Sequence, residues 1–101
     1  MRMLLTVTMP HEPFNTLVRN KKAGKLIERI LQEIKPEAAY FTEQDGTRGA
    51  ILVVNVTDPS KVPSIAEPFF LNFNADCRFR IVMSPEELGK AGLDDIATKW
   101  G

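Results

Sequence analysis

The sequence predicts a single α+β domain in which an antiparallel sheet of four strands packs against helices. Four short segments alternate between apolar and polar residues, as strands do. Two longer segments between them repeat apolar residues at helical spacing, and an Asp-Gly pair separates the second and third strands. The chain has 101 residues, 44% of them hydrophobic, which is enough for one core and too little for two. Residues 1–101 are therefore expected to form one domain.

The first predicted strand runs from Met3 to Met9, and Pro13 suits the first turn of the helical region that follows. At about 100° per residue, the early apolar residues of this region lie opposite the later ones. Either the helix breaks between Asn20 and Gly24, or one long helix buries both of its sides. We favour the break, because Gly24 and its polar neighbours weaken a helix there.

Asp45-Gly46 predicts a two-residue hairpin loop between strands at residues 38–44 and 47–56. This loop places Glu43 opposite Arg48, an opposite-charge pair that needs no functional explanation. The same register gives the hairpin an apolar face of Ala39, Phe41, Ala50, Leu52, Val54 and Val56. Its other face carries Ala38, Tyr40, Thr42, Ile51, Val53 and Asn55.

Asp58-Pro59 predicts the start of a second helical region with apolar residues at helical spacing up to Phe73. Phe69, Phe70 and Phe73 in this region are expected in the core or in an interface. Pro68 removes a backbone donor and clashes with the preceding turn, so we expect a kink or a restart near Glu67.

The last strand is predicted from Asp76 to Met83, with Cys77, Phe79, Ile81 and Met83 on its apolar face. Ser84-Pro85-Glu86-Glu87 is a capping box that begins a short helix. Leu93 to Trp100 should form the last helical turns.

This order of strand, helix, strand, strand, helix, strand and helical tail is the ferredoxin-like βαββαβ plan. One sheet face is apolar and is expected to carry the helices. The opposite face is too apolar for free solvation and too polar for a dry core. We therefore expect two copies of the chain to join these faces in a homodimeric α+β barrel around a semi-polar cavity. The residues of this face are Leu4, Thr6, Thr8, Tyr40, Thr42, Ile51, Val53, Asn55, Arg78, Arg80 and Val82.

The stretches Leu4 to Asn15, Tyr40 to Gly46 and Ala66 to Phe70 resemble a small uncharacterised bacterial family of similar length. The wider fold is similar to the dimeric α+β barrel superfamily, which includes muconolactone isomerases, antibiotic-biosynthesis-type monooxygenases and YCII-related proteins. This resemblance implies the fold and a homodimer. It implies no reaction and no site residues, because those relatives carry out different chemistry and the chain matches no catalytic motif of a characterised branch.

The composition argues against several classes of binding partner. Thirteen basic residues balance thirteen acidic ones, so no global field draws the chain to nucleic acid or to an anionic membrane. The central stretch from Ala50 to Val53 also has no aromatic ring for stacking RNA bases. The N-terminus has no signal-peptide features and no segment is apolar enough to cross a membrane, so we expect a cytoplasmic protein. With one cysteine and one histidine, a Cys-cluster or His-rich metal site is excluded, and we expect neither a metal nor a cofactor.

Arg78 and Arg80 are the strongest indication of a ligand. They lie two residues apart on a strand, so both guanidinium groups point to one side and suit a carboxylate or a phosphate. Alternatively, they pair with carboxylates across a dimer interface. The same face offers hydroxyl and amide groups that would orient a small polar ligand, from Tyr40, Asn55, Thr6 and Thr8.

His11 is the candidate catalytic residue, because it is the one histidine and follows the end of the first strand. Glu12 would orient it, and the alternative is an ordinary surface histidine. Cys77 is expected to be an inert small hydrophobic residue on the helix side of the sheet. Trp100 would either cap a cleft or dock the tail.

The sequence thus predicts a homodimer that binds a small anionic or polar organic molecule on the helix-free sheet face. A catalytic version would carry out cofactor-independent isomerisation, oxygenation or elimination. The competing hypothesis is a dimerisation or regulatory module without small-molecule chemistry, or a domain that senses an effector.

Overall fold

A computed structural model describes every residue from Met1 to Gly101. Its four strands form one antiparallel sheet in the order β2-β3-β1-β4. This is the predicted α+β architecture with ferredoxin-like connections. The elements are β1 (Arg2–Met9), α1 (His11–Arg19), α2 (Ala23–Ile34), β2 (Ala38–Gln44), β3 (Thr47–Asn55), a 3₁₀ turn (Pro59–Lys61), α3 (Val62–Phe73), β4 (Asp76–Ile81), α4 (Pro85–Gly89) and α5 (Leu93–Trp100).

The core lies between one face of the sheet and helices α1 to α3. Alternation along β1 and β3 buries every second residue on this face, as the sequence predicted. The helices add Phe14, Ile30, Phe69 and Phe73 to the same cluster. The rings of Phe14 and Phe73 are 5.1 Å apart at their centroids, which joins α1 to α3.

The predicted break in the first helical region is confirmed. Helix α1 ends at Arg19 and α2 begins at Ala23, with Lys21 between them at a φ of 60°. Helix α1 buries Phe14, whereas α2 buries Ala23 and Ile30. The apolar stripe changes sides because two helices, with different orientations, share one core.

The hairpin has the predicted register, in which Glu43 is the neighbour of Arg48. Asp45 and Gly46 both have positive φ values, 51° and 86°, as a two-residue loop of this kind requires. The prediction that Glu43 and Arg48 form an ion pair is wrong, however. Arg48 donates a hydrogen bond to Asn15 Oδ1 at 2.7 Å and lies 4.6 Å from the Phe14 ring centroid. Glu43 instead accepts the Gly46 N–H at 2.9 Å, because the tight turn brings that donor within reach.

The helix does not restart near Glu67, since α3 is one helix from Val62 to Phe73 with Pro68 inside it. Proline leaves the carbonyl of the residue four positions earlier without its helical partner. That residue is Ser64, which is exposed, so water can hydrate the carbonyl. Burial of Ile65, Phe69 and Phe73 on the other side then holds the helix against the sheet.

Strand β4 ends at Ile81, two residues before the predicted Met83. Ile81 pairs with Met3, and the Val82 N–H donates a hydrogen bond to Arg2 O at 3.3 Å. Because β1 begins at Arg2, it has no residue left with which β4 can continue to pair. Ile81 and Met83 were predicted to face the helices, but both are exposed because the helix layer does not extend over them.

Phe41 is a further departure from the predicted apolar face. It lies on edge strand β2 and remains 53% exposed, since the helices do not cover this part of the strand.

The segment from Val82 to Gly101, which we call the C-terminal arm, extends away from the rest of the fold. Neither α4 nor α5 contains a buried residue. The molecule measures 60 × 28 × 19 Å, and its radius of gyration is 17.1 Å. A compact domain of this length has a radius of gyration of about 13 Å. None of the helices has the length and apolar character needed to cross a membrane.

Candidate functional site

The sheet face opposite the helices, which we call the helix-free face, carries the predicted ligand residues in cross-strand rows. One row places Arg78 beside Thr6, then Ile51, then Tyr40. Directly opposed side chains in such rows are about 5 Å apart at their Cβ atoms. The structure therefore brings Arg78, Thr6 and Tyr40 onto one line across all four strands.

Arg80 begins the adjacent row, followed by Leu4, Val53 and Ala38. A strand advances about 3.3 Å per residue, so the Cα atoms of Arg78 and Arg80 are roughly 6.6 Å apart on the same face. The apolar side chains of this row are half-buried and lie next to the two cations. The combination offers apolar contact and positive charge to the same small molecule.

Both arginines are exposed and neither forms an ion pair. The ion pairs of the chain involve Arg2 and Arg19. One carboxylate, that of Asp76, shares the edge strand and the face, two residues before Arg78. Within a single chain the two guanidinium groups are therefore free to bind an anion.

Thr8 lies in the row next to Arg78, between Asp76 and Gly49. Its hydroxyl oxygen is buried and has no hydrogen-bond partner. Gly49, its neighbour on β3, has little room for a side chain, since a Cβ there would lie 3.1 Å from Gln44 Cβ and 3.3 Å from the Val7 carbonyl oxygen.

Asn55 is at the far end of the helix-free face, opposite Arg2. Its amide oxygen accepts a hydrogen bond from the N-terminal ammonium group of Met1 at 2.9 Å. Arg2 in turn bonds to Glu37 and Glu87. Asn55 thus anchors the N-terminus, which the sequence pattern did not reveal.

His11 is exposed at the start of α1, beyond the end of β1. The structure does not bring it into the rows of Arg78 and Arg80. Glu12 does not orient it either, since the Glu12 carboxylate accepts hydrogen bonds from Thr16 Oγ1 at 2.6 Å and Thr16 N at 3.2 Å. The hydrogen bond from Thr16 Oγ1, above all, lowers the pKa of Glu12. The catalytic role of His11 stays a prediction.

Cys77 faces the core, as expected, and is half-buried. Burial, and secondarily the charge of Asp76, raise the pKa of its thiol to about 11. At neutral pH the thiol is protonated and therefore a poor nucleophile.

A single chain does not form its principal pockets on the helix-free face. One pocket of about 360 Å³ lies between α2 and α3, beside Arg29, Glu67 and Leu71. Another of about 520 Å³ lies at the end of the sheet, beside Met3 and Ile81. The sequence pattern did not predict the first pocket; its one signal is that Leu71 falls outside the buried stripe of α3. The cavity predicted on the helix-free face was expected between two copies, and it needs a second face to enclose it.

The chain matches no protein-family model. A search of curated proteins found no match either. Among solved structures, it is similar to 5-chloro-2-hydroxyhydroquinone dehydrochlorinase (TftG) from Burkholderia phenoliruptrix, in a complex with 2,5-dihydroxybenzoquinone. The TM-score is 0.59 and the identity 16%, over 85% of this chain and 97% of that one. This likeness shows the fold, α+β with a four-stranded antiparallel sheet.

Proposed function

We propose that this protein is a homodimer that binds a small anionic organic molecule on the helix-free face, between two copies. The observation that carries the proposal is the pair of exposed arginines, Arg78 and Arg80, which have no carboxylate partner and lie beside Thr6 and Leu4. Alternate residues of a strand share a face, so both guanidinium groups are directed to the same side of the sheet.

The chemistry of the rows suits an organic anion with a flat apolar part. A guanidinium group binds a carboxylate or another oxyanion through two parallel hydrogen bonds. The hydroxyls of Thr6 and Tyr40 supply further donors along the row of Arg78, and Leu4, Ile51 and Val53 supply apolar contact. An acidic hydroxyquinone of the kind bound by TftG combines these properties, which supports the choice of ligand class.

A second copy provides what one chain does not have. Tyr40 is 67% exposed and both arginines face solvent, so water competes for every polar contact on an isolated face. A second face would exclude that water and strengthen the interaction between the guanidinium groups and an anion. The arrangement supports binding rather than a particular reaction, because His11 lies outside the rows and has no carboxylate to orient it.

The test is isothermal titration of the protein with 2,5-dihydroxybenzoquinone. We expect the unmodified chain to bind it and the double variant Arg78→Ala/Arg80→Ala to bind at least about tenfold more weakly, since charge-assisted hydrogen bonds contribute about 1.5–3 kcal/mol each. Arg29→Ala, which removes an exposed arginine from α2, is the matched control and should bind normally.

Equal binding by the double variant and the control would show that the arginine pair is not the site. If the unmodified dimer binds neither this quinone nor a panel of hydroxybenzoates and dicarboxylates, the dimerisation module is the better description.

A further inference from the structure

The C-terminal arm leaves more surface exposed than a finished fold of this size does. The chain has an accessible surface of 7282 Å² at 11.3 kDa. A compact monomer of that mass exposes about 5,700 Å², so roughly 1,500 Å² is in excess. A stable dimer of ordinary size buries about 800 Å² from each partner. The excess is therefore large enough for one complete interface.

Helix α5 adds an apolar stripe on one of its sides to this exposed surface. Leu93, Ile96, Ala97 and Trp100 follow the spacing of one helix face, and none of them is buried. Trp100 is 79% exposed. A helix of eight residues is not stable alone in water, and an apolar stripe of this kind is stabilised by packing. The stripe thus requires a surface to cover it.

The surface is not that of the same chain. The capping box at Ser84 and Glu87 fixes the start of α4, and Glu87 is 3.4 Å from Arg2 in an ion pair at the edge of the helix-free face. Beyond that anchor, α5 buries none of its residues against the rest of the chain, and the molecule is 60 Å long. A second copy presents the same uncovered face, and a two-fold axis would let each arm cover the other chain.

The distribution of charge favours a second copy of the chain as the surface that covers α5. The whole chain has thirteen acidic and thirteen basic residues. The arm holds four carboxylates and two lysines of these, which leaves nine acidic and eleven basic residues in the body, residues 1–81. The arm is net negative and the body that would receive it is net positive. Asp94 and Asp95 lie at the start of α5, about 8 Å of helix before Trp100.

We propose that the arm of each copy packs across the helix-free face of the second copy, with Trp100 covering Arg78 and Arg80 there. The inference rests on the proposed dimer and adds which segment completes its site. Lys99, whose Nζ is 5.7 Å from the Trp100 ring centroid, accompanies the indole and adds a third cation for the anion. The binding site is incomplete without the second copy.

The arm is tested by the emission of Trp100, the only tryptophan, together with sedimentation velocity. We expect the unmodified dimer to emit at the shorter wavelengths of a covered indole. Ile96→Glu should weaken the dimer at least tenfold and shift the emission to that of an exposed indole. Thr98→Glu adds the same charge on the polar side of α5 and should leave both measurements unchanged. A dimer in which Trp100 is fully exposed would contradict the proposed packing of the arm but not the proposed dimer.

A mixed dimer distinguishes an arm that packs on the partner chain from an arm that folds back onto its own chain. Full-length Arg78→Ala/Arg80→Ala and full-length Ile96→Glu chains are coexpressed with different tags and titrated with 2,5-dihydroxybenzoquinone. Exchanged arms leave one intact site, formed by the arginines of the Ile96→Glu chain and the arm of the other. Binding at half the sites supports the proposal, whereas no binding in the mixed dimer, when the unmodified dimer binds, contradicts it. Failure of the unmodified dimer to bind would instead count against the proposed ligand, while the emission measurement still decides the arm.

Discussion

At the residue scale, the Cys77 thiol shows how burial changes chemistry without any change of residue. The side chain lies on the core side of edge strand β4, where the loss of water disfavours the thiolate and raises the pKa from 9.0 to about 11. Asp76, the preceding residue, adds like-charge repulsion. The thiol is accordingly a structural group in neutral solution.

The raised pKa predicts a loss of stability in alkali. The folded chain retains the thiol proton above pH 9.0, where the unfolded chain begins to release it. The stabilisation is therefore complete below the unfolded pKa and disappears as the pH rises towards 11. Urea unfolding at about pH 8 and about pH 10.5 should show a larger decrease for the unmodified chain than for Cys77→Ala. Parallel decreases in both chains would contradict this assignment.

Thr8 carries a second residue-scale prediction. Its hydroxyl is buried without a partner, which costs about 1–3 kcal/mol in desolvation. Thr8→Val keeps the shape and removes this group, so the free energy of unfolding should rise by about 1 kcal/mol. Thr6→Val on the same face is the control, because the Thr6 hydroxyl is not trapped in this way. Chemical denaturation of the three chains measures the difference, and a destabilised Thr8→Val would reveal a partner for the hydroxyl.

At the element scale, the hairpin between β2 and β3 depends on its turn. Gly46 has a φ of 86°, a conformation that side chains with a Cβ seldom adopt, although nothing lies within 4 Å of the position. The turn sets the register of both strands and hence the position of Tyr40 beside Ile51.

Two glycine substitutions separate backbone conformation from available space. Gly46→Ala should lower the free energy of unfolding by about 1 kcal/mol, through strain at positive φ. Gly24→Ala adds the same methyl group to α2, where nothing lies within 4 Å either, and should raise it by about 0.5 kcal/mol. Thermal unfolding of the two variants gives the comparison. Equal effects would mean that the turn conformation is not what constrains residue 46.

The helices and turns differ in how far their local sequence determined their structure. Asp45-Gly46 and the capping box of Ser84 with Glu87 act within four residues, and both have the predicted form. Pro68 is also a local signal, but α3 continues through it as one helix that packs on the sheet. Arg48 left its predicted partner because α1 offered it an amide oxygen and a ring.

At the scale of the whole molecule, the arm decides the shape. The long axis of 60 Å belongs to a single chain whose arm is extended. If the arms are exchanged as proposed, small-angle X-ray scattering should give a dimer whose largest dimension is close to that of one chain, because each arm would lie along its partner. For Ile96→Glu we expect a distribution that contains extended single chains. A dimer much longer than one chain would indicate arms that remain unpacked.

The amino-acid order by itself determined the strands, the hairpin register, the break before α2, the caps and the division of the sheet into two faces. These features depend on neighbouring residues, on alternation along a strand and on the φ values that glycine and proline permit. It also placed Arg78, Arg80, Thr6 and Tyr40 on one face. Only the tertiary structure decided that the first three meet in adjacent rows, that Asn55 binds the N-terminus and that Glu12 turns away from His11.

Only the tertiary structure, too, showed that neither α4 nor α5 contains a buried residue. The reason is physical. Local pattern specifies which side of an element is apolar, whereas its partner is chosen by competition among all the surfaces that the fold brings within reach. For α5 the body of the same chain offers no such surface.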